Sequence, residues 1–589
     1  MKFKKIISAI TAAALTCAFG ASLIGCRNDN GGDGYDDSDI VEYDHNGDTA
    51  SALNVPNDNC RTYYEIFVRS FADSNNDGIG DFKGIIDNLD YLNDGDPNTD
   101  TDLGINGIWL MPINPSPSYH KYDATDYYDV DKSYGTLADF DALVKACDDR
   151  GIWLQMDLVL NHSSNEHPWF LEAVKEAQKG ITVEDSRYMK MYNFVLKDDR
   201  PSRGTYYAVP NSNYYYLGNF SKTQPDLNLD SEELREEIKK IVDFWLERGV
   251  RSFRLDAVPW AYGFAASDTS SANIEFWTWF NDYCNKKGAE VFAESTPGLA
   301  RYCYNVGEVW STSFVIDKYF ATGMSNFNFT YAATSSSGFI STAKGSAKSG
   351  ASSLVKSMAE IQATELKNDS AALLSNFLSN HDGDRSSGSM DATQIKKAAG
   401  LYLLMPGNPY IYYGEEIGAA GSGSDPNRRL PFNWGDDSHS NIFDPPGADY
   451  KGAQKNGSVK DQKDKTDSIL AYYRQAIKLR NRFPEIGRGV MTAYALDKWG
   501  VIASLGSFGE NSVNEVNELN KSVAVYKLEW NGKSVLIIQN VGKEEAEVKL
   551  GKEFNETKLV GSIVASTGSV SVDMKGNVSL PVGGVAVFK

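Results

Sequence analysis

The chain has 589 residues, 41% of them hydrophobic and 12% aromatic, and a formal net charge of −21. It is too long for one small core and long enough for a barrel-sized domain with one or two smaller ones. So strong a negative balance argues against a phosphate-binding or nucleic-acid surface, since polyanions are repelled, and leaves a neutral polymer such as a carbohydrate as the better partner.

At the N-terminus Lys2, Lys4 and Lys5 precede an apolar run from Ile6 to Phe19, followed by Leu23-Ile24-Gly25-Cys26. The run is short for a bilayer span and ends in small residues, so residues 1–26 read as a signal peptide rather than a membrane helix. The Leu-x-Gly-Cys ending resembles a bacterial lipoprotein signal, which implies a lipidated Cys26 and an extracytoplasmic, membrane-anchored chain. Residues 27–59 are dominated by Asp, Gly and Asn and read as a disordered acidic tether, with too little apolar surface to offset chain entropy. Of six cysteines, Cys17 and Cys26 fall in the signal. Cys60, Cys147, Cys284 and Cys303 lack metal-ligand spacing and read as buried thiols, or at most a disulfide or two.

Short apolar runs then alternate with amphipathic stretches. Strands are expected at 63–68, 107–110, 152–158, 251–255, 304–309, 325–329, 373–378 and 410–413, with helices such as 231–247 and 392–404 between them. Eight strands separated by helices give an α/β fold, a (β/α)8 TIM barrel spanning 60–160 and 230–486. The Tyr-rich stretch 161–229 is far longer than an ordinary βα connection and reads as a small inserted domain after strand 3. Residues 331–354, rich in Ser, Gly and Ala, read as a long surface connection. A helix at 467–483 should end the barrel. Beyond it Asn531-Gly532 between two β-patterned runs predicts a tight hairpin, within an antiparallel C-terminal β-sandwich at 487–589.

Four strand ends carry polar groups that a buried strand would not otherwise hold: Asp157-Leu-Val-Leu-Asn161-His162, Arg254-Leu-Asp256-Ala257, Val306-Gly-Glu308-Val-Trp310 and Ser379-Asn380-His381-Asp382. In a barrel these ends converge on one face, where catalytic groups of this architecture sit. Two carboxyl groups, one ionised and one protonated, suit glycosidic-bond cleavage. Arg254 shares a strand face with Asp256, and apolar Val306 beside Glu308 favours a raised carboxyl pKa.

In this order the four segments resemble the conserved regions of the α-amylase family of retaining glycosidases, a resemblance that covers the chain from Arg61 onward. It implies Asp256 as nucleophile, Glu308 as general acid/base and Asp382 as the carboxylate that binds and distorts the −1 sugar. It also implies substrate contacts at His120, Tyr122, Asp157, His162, Arg254 and His381, with Asp425 and Arg429 further along the non-reducing side. Where α-amylases usually carry Lys-His after the nucleophile, this chain has Pro259-Trp260. Trp260 is therefore read as a stacking surface for the leaving-group side.

A cation site is expected at Asp73-Ser-Asn75-Asn-Asp77-Gly-Ile79-Gly-Asp81, where oxygen ligands alternate around a glycine turn as Ca²⁺ requires, although the distal Glu of an EF-hand is missing. It resembles the calcium loop of oligosaccharide-acting family members, with ligands Asp73, Asn75, Asp77, the Ile79 carbonyl and Asp81. Gln224-Pro-Asp-Leu-Asn228 resembles the oligo-1,6-glucosidase branch, whereas Tyr119-His-Lys-Tyr122 looks like α-amylases proper, so the chain resembles the intermediate group. Ala257 is similar to α-1,4-cleaving members, because α-1,6-specific glucosidases carry Val there. The resemblance thus implies hydrolysis of α-1,4 bonds in starch and maltooligosaccharides. A neopullulanase or oligo-1,6-glucosidase specificity stays open, as does a surface glucan-binding protein without catalysis.

Overall fold

The computed structural model describes residues 57–97, 99–332, 335–435, 441–505 and 517–589. The signal peptide, Cys26 and the tether up to residue 56 lie outside the described residues, among which no helix is long and apolar enough to cross a membrane.

Three parallel strands come first, β1 (Tyr63–Ile66), β2 (Gly107–Leu110) and β3 (Trp153–Leu158), buried on both faces as near-continuous apolar runs. The chain then leaves the barrel for a small antiparallel sheet of β4 (Phe194–Leu196), β5 (Tyr206–Ala208) and β6 (Tyr214–Leu217), in the order β4-β6-β5. It returns through helix Glu232–Glu247, whose N-terminus is capped by Ser231 accepting from the Leu234 N–H and whose stripe Leu234, Ile238, Ile241, Val242 and Trp245 is buried. β7 (Ser252–Leu255), β8 (Val306–Gly307), β9 (Ser325–Asn326) and β10 (Tyr410–Tyr412) complete a parallel sheet ordered β10-β1-β2-β3-β7-β8-β9. Between β9 and β10, parallel bridges Phe327–Ser375 and Phe377–Tyr410 seat the 373–378 run in the remaining position. The eight expected strands thus form a (β/α)8 barrel.

Residues 331–354 differ from expectation. They hold helix Phe339–Ala343 and the start of helix Gly350–Asn368, with Phe339, Ala351, Leu354, Val355 and Met358 buried. Positions 351, 354, 355 and 358 form a helical apolar face that the Ser/Gly/Ala composition disguises. The helix is tied to the next domain, since Gln362 donates to the Gly489 carbonyl and accepts from the Met491 N–H.

The C-terminal region carries β11 (Val490–Leu496), β12 (Ile502–Ser504), β13 (Val523–Trp530), β14 (Lys533–Asn540), β15 (Ala546–Lys549), β16 (Leu559–Ile563), β17 (Ser571–Val572), β18 (Asn577–Leu580) and β19 (Val585–Phe588). They form an antiparallel six-stranded sheet, β12-β11-β13-β14-β19-β16, and a three-stranded one, β15-β18-β17. The expected hairpin is β13/β14, turned at Asn531 and Gly532 with φ of 51° and 72° as a two-residue primed turn requires. Along β13, Val523 and Val525 join the core between the two sheets while Ala524, Tyr526 and Leu528 join the barrel's core, the period-2 signature of a strand buried on both faces. Cys60, Cys147, Cys284 and Cys303 are free, buried thiols.

Candidate active site

The polar strand ends meet at the C-terminal mouth of the barrel. Arg254, on β7, is 1% exposed and is the hub. Its Nη1 donates to Asp157 Oδ1 on β3 (3.1 Å) and to Asp256 Oδ1 (2.7 Å), while Nη2 lies 3.0 Å from Glu308 Oε2 just past β8. A buried guanidinium is tolerable only when such partners surround it. Glu308 Oε2 also accepts the Ala257 N–H at 3.0 Å, and the Glu308 N–H in turn reaches the Leu255 carbonyl. To aim that N–H, Ala257 adopts φ 50° and ψ 39°, a left-handed conformation that an L-residue occupies only at a cost. Burial, with the Asp256 and Asp382 charges adding to it against Arg254 and the Ala257 N–H, pushes the Glu308 carboxyl up to about 6.

A second cluster faces the first. His381 Nδ1 lies 2.6 Å from Glu65 Oε1 on β1, and Nε2 lies 2.8 Å from Asp382 Oδ2 and 2.6 Å from the Tyr122 hydroxyl. The Tyr122 hydroxyl donates to Asp157 Oδ2 at 3.0 Å, so the clusters are joined, and its ring stacks on His381 with centroids 5.5 Å apart. Arg429 Nη2 donates to Asp382 Oδ1 at 2.7 Å. Burial alone would raise the Asp382 pKa, but His381 and Arg429 hold it well below the usual carboxylate range. For His381 burial works the other way, and the Asp382 and Glu65 carboxylates overcome it to push the imidazole up to about 9.

The two clusters floor a cavity of about 310 Å³. Its lining includes Asp256, Glu308 and Asp382 together with His120, Tyr122, His162, Trp260, Asp425 and Arg429. Asp157, Arg254 and His381, expected as substrate contacts, are instead buried outside the lining and hydrogen-bond or ion-pair with Asp256, Glu308, Tyr122 and Asp382, which belong to it. Burial pulls the His162 imidazole down to about 4, leaving a neutral ring whose Nε2 lies 3.1 Å from the Tyr122 carbonyl; burial also lowers His120. Asp425 Oδ2 lies 3.7 Å from Arg429 Nη2, and its Oδ1 accepts from Arg428 Nη1 at 2.8 Å.

Several members escaped sequence reasoning. Glu65 sits in the fully buried strand Tyr-Tyr-Glu-Ile, where a carboxylate without a functional partner is rare; that was its available signal. Trp310, 41% exposed and stacked on Phe329 at 4.8 Å, and Phe220, 47% exposed and 5.3 Å from the Trp260 ring, add aromatic walls to the cavity. Trp310 follows Glu308 by two residues and was inferable as a neighbour on the same side of an extended segment. Phe220 comes from the inserted domain, with no local signal. Arg428, whose Nη1 donates to the Asp382 carbonyl at 2.7 Å, was passed over for its neighbour Arg429.

The expected cation loop runs between β1 and helix Phe82–Asp87. Asp73 accepts the N–H groups of Asn75, Asn76 and Gly78, Asn75 accepts from Asp77, and Asp77 from Ile79, so the side-chain oxygens wind the loop around themselves. Asn76 and Gly78 make the turn with φ of 63° and 89°. Among the described residues no three His, Cys, Asp or Glu side chains gather closely enough to hold a metal ion, so Asp73, Asp77 and Asp81 do not by themselves converge. The donors are nonetheless all oxygen, the class of ligand that suits a hard cation, and Asp73 and Asp81 are buried.

A family model described as the alpha amylase catalytic domain matches residues 65–489. "Alpha-amylase 3" of Dictyoglomus thermophilum is 32% identical over 511 residues, covering 85% of this chain and 88% of that one. An oligo-1,6-glucosidase of Parageobacillus thermoglucosidasius is 26% identical over 564 residues, covering 84% and 96%. Among solved structures, Eubacterium rectale Amy13B superposes with a TM-score of 0.79 at 36% identity, covering 91% of this chain and 96% of that one.

Proposed function

The chain belongs to the alpha-amylase family of glycoside hydrolases, and on that premise we propose that it hydrolyses α-1,4-glucosidic bonds of starch and maltooligosaccharides with retention of configuration. The observation that carries this reading is the single Arg254 guanidinium shared by Asp256 and Glu308 at the cavity floor. Two carboxylates forked from one cation are held close together, which favours the spacing of about 5–5.5 Å of a retaining pair over the wider gap that an inverting pair needs for water. Glu308, with its raised pKa, donates its proton to the glycosidic oxygen. Asp256, charge-paired with Arg254, attacks the anomeric carbon and forms the glycosyl ester. Water deprotonated by Glu308 then cleaves that ester. Asp382, fixed by His381 and Arg429, takes the hydroxyls of the −1 glucose, and His120, His162 and Tyr122 border the same sugar. Trp260, with Phe220 and Trp310, offers rings on which leaving-group glucoses stack.

The α-1,4 choice rests on Ala257, whose small side chain beside the nucleophile leaves room for an α-1,4-linked aglycone. Oligo-1,6-glucosidase action is the second reading, favoured by Gln224-Pro-Asp-Leu-Asn228 and by the relative of that name. Incubation with maltotriose, isomaltotriose and pullulan, with the anomer of the first product read by NMR, separates the two. Release of glucose from isomaltotriose faster than from maltotriose sinks the α-1,4 reading, and an inverted first product sinks retention.

Two further proposals come from the sequence. Asp73, Asn75, Asp77, the Ile79 carbonyl and Asp81 would hold Ca²⁺, which would brace the loop between β1 and its helix. Cys26 would carry a lipid that tethers the enzyme to a bacterial membrane on its extracytoplasmic side; replacing Cys26 by Ser should move it from the membrane fraction to the soluble one, and unchanged fractionation would refute the anchor.

A further inference from the structure

Both ring nitrogens of His381 face carboxylate oxygens, Nδ1 at 2.6 Å from Glu65 and Nε2 at 2.8 Å from Asp382. A neutral imidazole has one N–H and would turn a lone pair toward one of those carboxylates, whereas the doubly protonated ring satisfies both. His381 is 0% and Glu65 1% exposed, so water relieves neither group. The other polar neighbours do not substitute for Glu65. On the loop after β2 the Tyr122 hydroxyl donates to Asp157, from β7 Arg254 is spent on Asp157, Asp256 and Glu308, and Arg429 engages Asp382 and the His381 carbonyl. On the His381 Nδ1 side, the only contact within hydrogen-bonding distance among the described residues is Glu65.

We propose that Glu65 is a positioning residue of the hydrolytic site: it touches no substrate, and its buried carboxylate keeps His381 an imidazolium, which in turn keeps Asp382 ionised and fixed against the −1 sugar. This rests on the assignment of Asp382 to that sugar. Without Glu65 the imidazolium loses one of its two carboxylates and the burial penalty on its charge is no longer overcome. Asp382 then faces a ring that deprotonates within the working pH range, and its grip on the sugar loosens as pH rises.

The test compares the wild type with Glu65→Gln, an isosteric change that removes the charge, and Glu65→Asp, which keeps it. Six histidines make the imidazole resonances tractable by NMR, and the signal of His381 is the one absent in His381→Asn. The expected result is a fall of about one to three pH units in the His381 midpoint in Glu65→Gln. The ratio of variant to wild-type kcat/KM on maltotriose should also fall about tenfold between pH 6 and pH 8, because Glu308 titrates in both proteins and cancels from the ratio. Glu65→Asp should show no such slope. An unmoved His381 midpoint, or a loss of activity in Glu65→Gln that is the same at every pH, overturns the proposal. Should Glu65→Gln fail to fold, the wild type decides alone: a His381 midpoint above about 7.5 supports the proposal and one below it overturns it. A wild type inactive on every α-glucan would refute the proposed function, while the NMR titration would still test Glu65.

Discussion

Raising the pH from 6 to 8 should slow this enzyme by about fifty-fold in kcat/KM, through one group. In the proposed mechanism Glu308 carries a proton into the Michaelis complex, and burial beside Asp256 and Asp382 pushes its pKa to about 6. About half of the enzyme is then in the acid form at pH 6 and about a hundredth at pH 8. The same shift has a stability cost. A carboxyl raised from 4.5 to about 6 on folding contributes stability present below pH 4.5 and lost as pH rises through 6, on the order of 2 kcal/mol. The assay is initial velocity on maltotriose well below KM, at constant ionic strength, beside a nitrophenyl maltooligosaccharide whose leaving group needs little protonation. Maltotriose should show the full alkaline limb and the activated substrate a shallower one. A maltotriose profile that is flat from pH 6 to 8 would remove Glu308 from the acid role or its pKa from this range.

Replacing Asp256 by Ala should cut hydrolysis to below about a hundredth while leaving the melting temperature within a few degrees, because Arg254 keeps Asp157 and Glu308 as partners; retained hydrolysis would exclude Asp256 as nucleophile. Ala257→Val should lower kcat/KM on α-1,4 bonds by about 1–3 kcal/mol through crowding. Because φ is 50° there and Val is β-branched, it should also destabilise the fold, whereas Ala257→Gly should not, so melting curves of both variants separate strain from specificity. Asp77→Ala should abolish any rise in melting temperature with added Ca²⁺, and chelator should lower that of the wild type; a wild-type melting curve indifferent to both would show the loop to be a solvated turn.

The barrel was legible because its strands are buried on both faces and appear as short apolar runs, and because the polar residues at their ends interrupt that pattern in a fixed order. Asp157, Asp256, Glu308 and His381-Asp382 could all be found that way. Helix Gly350–Asn368 could not, since its first turn, Gly-Ala-Ser-Ser, continues a Ser/Gly/Ala-rich stretch that resembles a linker and masks the apolar face of Ala351, Leu354, Val355 and Met358. Phe220 could not either: its place on the cavity depends on how the inserted domain folds back, and nothing at residue 220 encodes the 5.3 Å approach to Trp260.

Glu65 and Arg254 mark the boundary between what a motif conveys and what a fold conveys. Arg254 lies two residues from Asp256, so local spacing places both on one strand face, yet its contacts with Asp157 and Glu308 cross 97 residues in one direction and need a third strand in the other. Glu65 reaches His381 across 316 residues, joining the first strand to the seventh position of the barrel. Closure of the sheet brings those ends together, and the low dielectric of a closed barrel mouth makes each charge depend on its partners. The carboxylates of this site consequently differ in how readily they hold a proton. Glu308 is pushed toward the acid form by burial and two like charges, and Asp382 toward the base form by a cation on either side. That separation of pKa values is what acid and base roles at neighbouring carboxyl groups require, and beyond the adjacent His381 it is set by contacts between elements far apart in the chain.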